Sequence, residues 1–457
     1  MRPRASAPPT VALYAAGQLP VYLLPTLVGR LTDGLGLTPT QAGALGSTLL
    51  LASATTGLLL AGRVTGLGPA RLARTGLGLL ALSSALAATG PGTPLLVTAL
   101  ILAGLGAGTA TAVATTALAR AADPHRTTVR ALLATSGTAA LLYLLLPYLG
   151  SGPAAPFGAL GAIALATAAL PGGRSGPAPA PRPTTARPAR PAGDGHAPAK
   201  AAALILAVPF WSMAQNALWG VSGRLGHVQA GLGERTLGPV FALALLGGLL
   251  GVAAAGALGS RIGRAVPIGA GTLVIAGCVL LTGTARGPVA FTTGELLWNL
   301  LYPLVLSHLL GLAAVLDPGG RRAVQTSAAA ALGVACGPLV GTALAGAAGY
   351  PGMGAVLAAV LAVTALPLTL AARPGRSPRR VPGPRRTTGR PHLANRRTST
   401  AGFPAAVSIP GQRRSSPPGR PHPRAGTRIA GTAQPDHAFS SARNSGPAST
   451  PDGNSLT

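Results

Sequence analysis

Glu295, Trp298, Asn299 and Tyr302 stand at i, i+3, i+4 and i+7 within Phe291–His308, FTTGELLWNLLYPLVLSH. At ~100° per residue, an α-helix places the other three within about 60° of Glu295. Rings can stack on a small organic molecule, amides can fix its orientation, and a carboxyl can take up and release a proton. The stretch is apolar enough to cross a membrane, and Glu295 is the only acid in any apolar span of the chain. An ionisable group in hydrocarbon costs several kcal/mol unless it faces a cavity or a partner, so it marks a functional site. Snorkelling to the interface is the bland alternative. Glu295 is about the eighth residue of its span, roughly 11 Å in at ~1.5 Å per residue.

Two other stretches carry the same kind of stripe. Tyr14, Gln18 and Tyr22 stand at i, i+4 and i+8, and so do Trp211, Gln215 and Trp219. Aromatics make up only 3% of the chain, so their gathering on these stripes is informative. An interfacial aromatic belt is the competing explanation, and it suits Tyr22 and Trp219 better than the amides. His308 lies ~220° around the helix from Glu295, off the stripe. Asn216 stands beside the Gln215 stripe, where helix–helix bonding is its expected role.

The elements that must position these residues are membrane helices. Of 457 residues, 48% are hydrophobic and 10% charged, and mean hydropathy is +0.46. Soluble domains carry roughly 25% charge. Apolar blocks recur at ~17–25 residues, the length that crosses ~30 Å of hydrocarbon as helix. Long Ala/Leu/Gly runs lack the alternation of a β-barrel. The expected fold is an all-α polytopic membrane protein with twelve spans, at 10–29, 42–62, 75–91, 94–119, 130–149, 155–171, 201–221, 238–258, 267–284, 288–312, 323–347 and 352–372.

Basic residues test that count. The N-terminus and the loops after even-numbered spans hold 17 Arg and Lys; the loops after odd-numbered spans hold Arg30, Arg224, Arg235 and Arg286. The positive-inside rule then puts both termini in the cytoplasm of a multi-pass plasma-membrane protein. The basic, apolar N-terminus reads as an uncleaved first helix. Of the 36 basic residues only Lys200 is lysine, so the +28 charge reflects GC-rich coding as much as function.

Residues 172–200 form a Pro/Ala/Arg-rich cytoplasmic linker between a six-helix bundle at 1–171 and a second at 201–372. Residues 373–457, with 15 Arg, read as a disordered cytoplasmic tail or as a read-through past a displaced stop codon. Arg-Pro composition without interleaved aromatics does not indicate nucleic-acid binding. Cys278 and Cys336 fall in apolar spans and suit small buried hydrophobes, and no cofactor or metal is expected.

The bundles echo each other. The Tyr14 and Trp211 stripes are 197 residues apart, Gly68 and Gly263 are 195 apart, and Asp123-Pro124 and Asp317-Pro318 are 194 apart. An even number of spans per half makes this a parallel repeat about an axis along the membrane normal. The Asp-Pro pairs themselves read as helix boundaries.

Gly256-Ala-Leu-Gly-Ser260-Arg261-Ile-Gly263-Arg264 resembles the loop motif G-x-L-x-D-R-x-G-R-R of the major facilitator superfamily. Ser260 replaces the family's Asp; in the first half Gly68 survives, Thr65 takes the Asp position, and Arg71 and Arg74 supply charge. The resemblance covers roughly residues 10–372. It implies that these loops gate the cytoplasmic side, and the two lost Asp residues remove the charge relay expected there. Gly333-Val-Ala-Cys-Gly337-Pro338-Leu-Val-Gly341 is similar to the antiporter Gly-Pro motif, but lies in the eleventh span instead of the fifth. Gly104, Gly106 and Gly108 match the fourth-span glycines of drug antiporters, while Leu100 replaces their Arg.

The resemblance further implies that the first, fourth, seventh and tenth helices line a central cavity. Tyr14, Gln18, Tyr22, Trp211, Gln215, Trp219, Trp298, Asn299 and Tyr302 then become substrate-cavity candidates, and Glu295 the proton-coupling candidate. A carboxyl among aromatic rings is costly to ionise, which a proton carrier requires. The implied protein is a monomeric secondary transporter moving a small organic solute by alternating access, with proton-coupled efflux the favoured direction. Two other classes compete. One is a transport-inactive scaffold or sensor of the same fold. The other is a polytopic membrane enzyme, disfavoured because Asp123/His125 is the only acid–His neighbour pair and no loop before the tail has room for a catalytic domain.

Overall fold

The computed structural model describes residues 7–170, 197–258, 262–316 and 321–373, all within one compact unit, Met1–Arg380. The expected linker (except 197–200), Arg261, Asp317-Pro318 and the tail beyond 373 lie outside the described residues. Every regular element among the described residues is helical: α1 (Ala7–Tyr22), α2 (Leu24–Leu35), α3 (Pro39–Leu60), α4 (Val64–Leu67), α5 (Pro69–Ala88), α6 (Thr93–Ala119), α7 (Pro124–Leu145), α8 (Ala154–Ala169), α9 (Ala197–Val228), α10 (Glu234–Leu258), α11 (Ala265–Thr284), α12 (Pro288–Leu316) and α13 (Arg321–Ala372). A 3₁₀ turn at Leu146–Tyr148 extends α7. Among the described residues, eight helices are long and apolar enough to cross a membrane, or nine if the bent pair α1–α2 is one span. This is a multi-pass membrane protein.

Helices dominate because hydrocarbon offers backbone groups no other partner. Departures from regular helix have local causes. The α1–α2 pair bends by 50° at Leu23. Pro25 has no N–H to return to the Val21 carbonyl four residues back, so that carbonyl is freed. Within α13, Gly349 takes φ 68° and ψ 174°, which breaks the element into two helices end to end. Asp123 caps α7 by accepting from the Arg126 N–H at 3.0 Å, so this Asp-Pro pair begins a helix as expected.

Glycine sets how closely the helices approach. On α6, a Cβ at Gly106 would meet the Gly76 carbonyl and the Leu80 nitrogen of α5, both at 2.6 Å. Gly104 and Gly108 lie against the carbonyls of Leu49 and Ser53 on α3. The three glycines therefore let α6 touch two neighbours through backbone, a small-residue interface of the kind membranes favour. Gly333, Gly337 and Gly341 do the same between α13 and α9, against Pro209, Asn216 and Ala217. The antiporter-like Gly-Pro stretch thus serves as a helix seam. Cys278 is buried, whereas Cys336, expected to be buried, faces outward because Ala335 and Gly337 beside it take the interior of that seam.

Left-handed glycines recur at matching positions. Gly36 and Gly231 (φ 62° and 70°) follow α2 and α9, and Gly68 and Gly263 (φ 88° and 66°) precede α5 and α11. Only glycine adopts such φ without strain.

Substituting Gly106 with Ala is expected to cost roughly 1–3 kcal/mol by overpacking backbone against backbone. Gly57→Ala in α3, with nothing within 4 Å, is expected to be neutral or stabilising. Thermal unfolding of the two purified variants, side by side, checks the contrast.

Candidate functional site

The stripes of α9 and α12 face one another across a shared seam. Trp298 Nε1 donates to Gln215 Oε1 at 3.1 Å, and Gln215 Nε2 donates to the Trp211 carbonyl at 3.1 Å. Trp211 Nε1 donates to Thr272 Oγ1 of α11 at 3.2 Å. Buried indole N–H groups need such partners, and here each finds one. The rings pack as well: Trp211 stacks on Tyr302 with centroids 5.5 Å apart and 13° between planes, and Trp298 lies 6.2 Å from Tyr302 and 5.7 Å from Trp219. Trp219 in turn meets Phe241 of α10 and Tyr143 of α7 edge-on. One continuous aromatic body therefore runs through α7, α9, α10 and α12.

Burial separates the candidates into two groups. Trp211, Gln215, Trp219 and Trp298 are buried inside this body. Tyr14, Gln18 and Tyr22 on α1, with Asn299 and Tyr302 on α12, are half-buried. Asn299 Nδ2 is spent on the Glu295 carbonyl one turn back. The α6 threonines are mostly spent likewise: Thr109, Thr115 and Thr116 donate to carbonyls of their own helix.

Glu295 is fully buried. Its Oε1 lies 2.6 Å from Ser222 Oγ of α9, and its Oε2 has no hydrogen-bond partner. Among the described residues no cation pairs with it, and Tyr143 is within its electrostatic reach. Sequence reasoning missed Ser222, although it extends the α9 stripe at i+7 from Gln215. His308 is also buried, off the stripe, with Nδ1 2.9 Å from the Leu304 carbonyl.

Sequence reasoning also missed a polar clasp on the face of the bundle where α2 ends and α10 begins. Arg30 of α2 is buried and donates to Glu234 of α10 at 3.0 Å and to the carbonyls of Leu146 and Gly150. Arg224 of α9 donates to Asp33 of α2 at 2.6 Å. The pairs are reciprocal: each part of the chain contributes one cation and one anion. The two arginines are 194 residues apart, the offset of the sequence repeat. All four clasp residues help line a cavity of about 320 Å³, with Thr26, His227, Tyr143 and Phe241 also among its walls. None of the striped candidates lines it. On this same side Trp219 Nε1 donates to the freed Val21 carbonyl at 3.1 Å, and Ser47 Oγ accepts from the Leu339 N–H at 3.0 Å.

The expected gating loops lie at the opposite ends of the helices. Gly68 turns the chain into α5, where Arg71 is exposed. Gly256 sits in the last turn of α10, Gly263 has positive φ, and Arg264 is half-buried at the start of α11. Among the described residues no three His, Cys, Asp or Glu side chains gather as a metal site would require.

Residues 10–332 match the sequence profile of the Major Facilitator Superfamily. No curated protein matches the chain. Among solved structures, similarity extends to a transporter of the proton-dependent oligopeptide family, at 14% identity and TM-score 0.63, over 80% of this chain and 98% of that one. A bacterial homologue of the human lysosomal transporter Spinster, inward-facing and unoccupied, is 15% identical, with TM-score 0.58, over 80% and 94%. The human organic anion transporter TETRAN is 18% identical, with TM-score 0.54, over 79% and 99%. At these identities the likeness is one of fold, and it spans nearly the whole of each of those proteins. With the profile match over most of the helical region, this chain belongs to the Major Facilitator Superfamily.

Proposed function

We propose that the protein is a secondary active transporter that moves a small organic solute across the plasma membrane by alternating access, with Glu295 as its proton carrier. The observation that carries this reading is Glu295 itself: a buried carboxyl with no cation partner among the described residues, bonded to Ser222 where α9 and α12 meet. A group so placed has reason to exchange protons and little reason to be there for stability. Counting α1–α2 as one span and dividing α13 at Gly349 supports twelve spans. The paired left-handed glycines support two parallel halves, 1–171 and 201–372. The arginine distribution supports cytoplasmic termini, and cysteine-labelling at engineered positions near residue 7 and residue 373 from either side of the membrane tests it.

In this frame the clasp of Arg30, Asp33, Arg224 and Glu234 lies on the outer side. The polar contacts named between the halves gather there, which supports a state closed outside. The half-buried Tyr14, Gln18, Tyr22 and Tyr302 are the groups left to meet solute. With Glu295 the one acid, and no base, among the substrate-cavity and proton-coupling candidates, the site suits a neutral or cationic organic solute and favours export. A transport-inactive relative is the second reading, favoured by Ser260 and Thr65 in place of both loop Asp residues. Ligand-dependent thermal stabilisation without flux distinguishes it.

Two outcomes are expected. In proteoliposomes, Glu295→Gln abolishes accumulation driven by an imposed pH gradient while solute counterflow persists, using a solute identified by resistance screening of a deletion strain. Unchanged coupling overturns the assignment. Second, Arg224→Gln removes a pair whose Asp33 side chain is 63% exposed, worth about 1 kcal/mol or a roughly fivefold population shift. Arg30→Gln shifts it further, because Arg30 is only 5% exposed and also holds two carbonyls. Spin labels at Leu37→Cys and Gln229→Cys, with the native cysteines replaced, read the opening as a longer distance.

A further inference from the structure

Ser222 holds Glu295 in a way that depends on where the hydrogens are. Its Oγ is 2.6 Å from Glu295 Oε1 and 3.0 Å from the Leu218 carbonyl one turn back on α9. Both side chains are fully buried. A serine hydroxyl carries one hydrogen and cannot donate to both oxygens. If Glu295 is ionised, that hydrogen goes to the carboxylate, and Oε2 remains a buried anionic oxygen with no donor. If Glu295 carries a proton on Oε1, its O–H donates to Ser222 Oγ, and Ser222 donates to Leu218. Every hydrogen in that chain then has an acceptor, and the orphan Oε2 is the oxygen of a neutral acid, far cheaper to leave unpaired. The surroundings offer the ionised form nothing else. Tyr143 of α7 is the titratable group facing it, and no charged side chain of α9, α10 or α11 pairs with it among the described residues.

We infer that Ser222 is the positioning residue for Glu295, accepting a hydrogen bond from the protonated acid and relaying its own hydrogen to the Leu218 carbonyl. The role, though not the geometry, rests on the reading of Glu295 as proton carrier. The relay gives the neutral acid a fixed orientation in the α9–α12 seam. It also makes loss of the proton a local rearrangement, since Ser222 must turn from Leu218 to the carboxylate.

Infrared difference spectroscopy of the full-length protein in lipid, between acidic and alkaline pH, reads this directly. A protonated-carboxyl C=O band that disappears in Glu295→Gln belongs to this residue. In Ser222→Ala the band is expected at higher frequency, as for an acid that has lost its hydrogen bond. Ser222→Thr should restore it, and Ser222→Cys, a weaker partner, should fall between. A merely structural serine would leave the band in place, so an unchanged frequency in Ser222→Ala overturns the inference. Absence of any Glu295-dependent band at every pH overturns it too. If the band shifts as expected while Glu295→Gln still couples transport to pH, the coupling reading fails and the hydrogen-bond relay stands.

Discussion

The hydrogen bond from Trp219 to the Val21 carbonyl joins a backbone defect to the α9–α12 seam. Hydrocarbon leaves no water to satisfy a carbonyl, so the oxygen that Pro25 frees at the bend must be met by a side chain. Trp219 meets it from the other half of the chain. The Tyr143 hydroxyl donates to the neighbouring Tyr22 carbonyl at 2.8 Å. Both rings belong to the aromatic body that runs through α7, α9, α10 and α12, beside the Ser222–Glu295 contact. The bend of α1–α2, the burial of Trp219 and the placement of the acid are therefore one problem with one solution.

The helices before and after residue 197 contribute unequally to the candidate site. Residues of α9 and α12 satisfy one another: indole to amide, amide to carbonyl, ring on ring. This makes a stiff wall with the acid inside it. The half from α1 to α8 contributes close-packed helices, with α6 sunk against α3 and α5 through its glycines and its threonines turned back on their own carbonyls. What it adds to the site is mainly one side of α1. The glycine ladder between α13 and α9 fixes the wall from behind, so α9, α12 and α13 have little freedom to shift separately.

Much of this was legible in the sequence, for physical reasons that also mark the limit. Glu295 was visible because an acid in an apolar run has no ordinary explanation, and the stripes were visible because helix periodicity is local. What stripes face was not legible. The amides of Gln215 and Asn299 read as free to bind ligand, yet the first is consumed by two tryptophans and the second by its own helix. Ser222 was hidden because serine in a membrane helix usually bonds to its own backbone, as it also does here. The pairs Arg30–Glu234 and Arg224–Asp33 join residues 204 and 191 apart, and nothing local distinguishes them from loop charges. The outward face of Cys336 followed only once Gly337 was seen to claim the inner side.

The reciprocal clasp has an electrical consequence. A charge moved across the full membrane potential exchanges about 2.3 kcal/mol per 100 mV. Arg30 and Arg224 are balanced by Asp33 and Glu234, one of each sign on each half. Under the proposed rocking of the halves, each half carries one charge of each sign through the field, so the clasp moves no net charge. In the proposed cycle, voltage sensitivity then falls to the other charges, the solute and the proton on Glu295 among them.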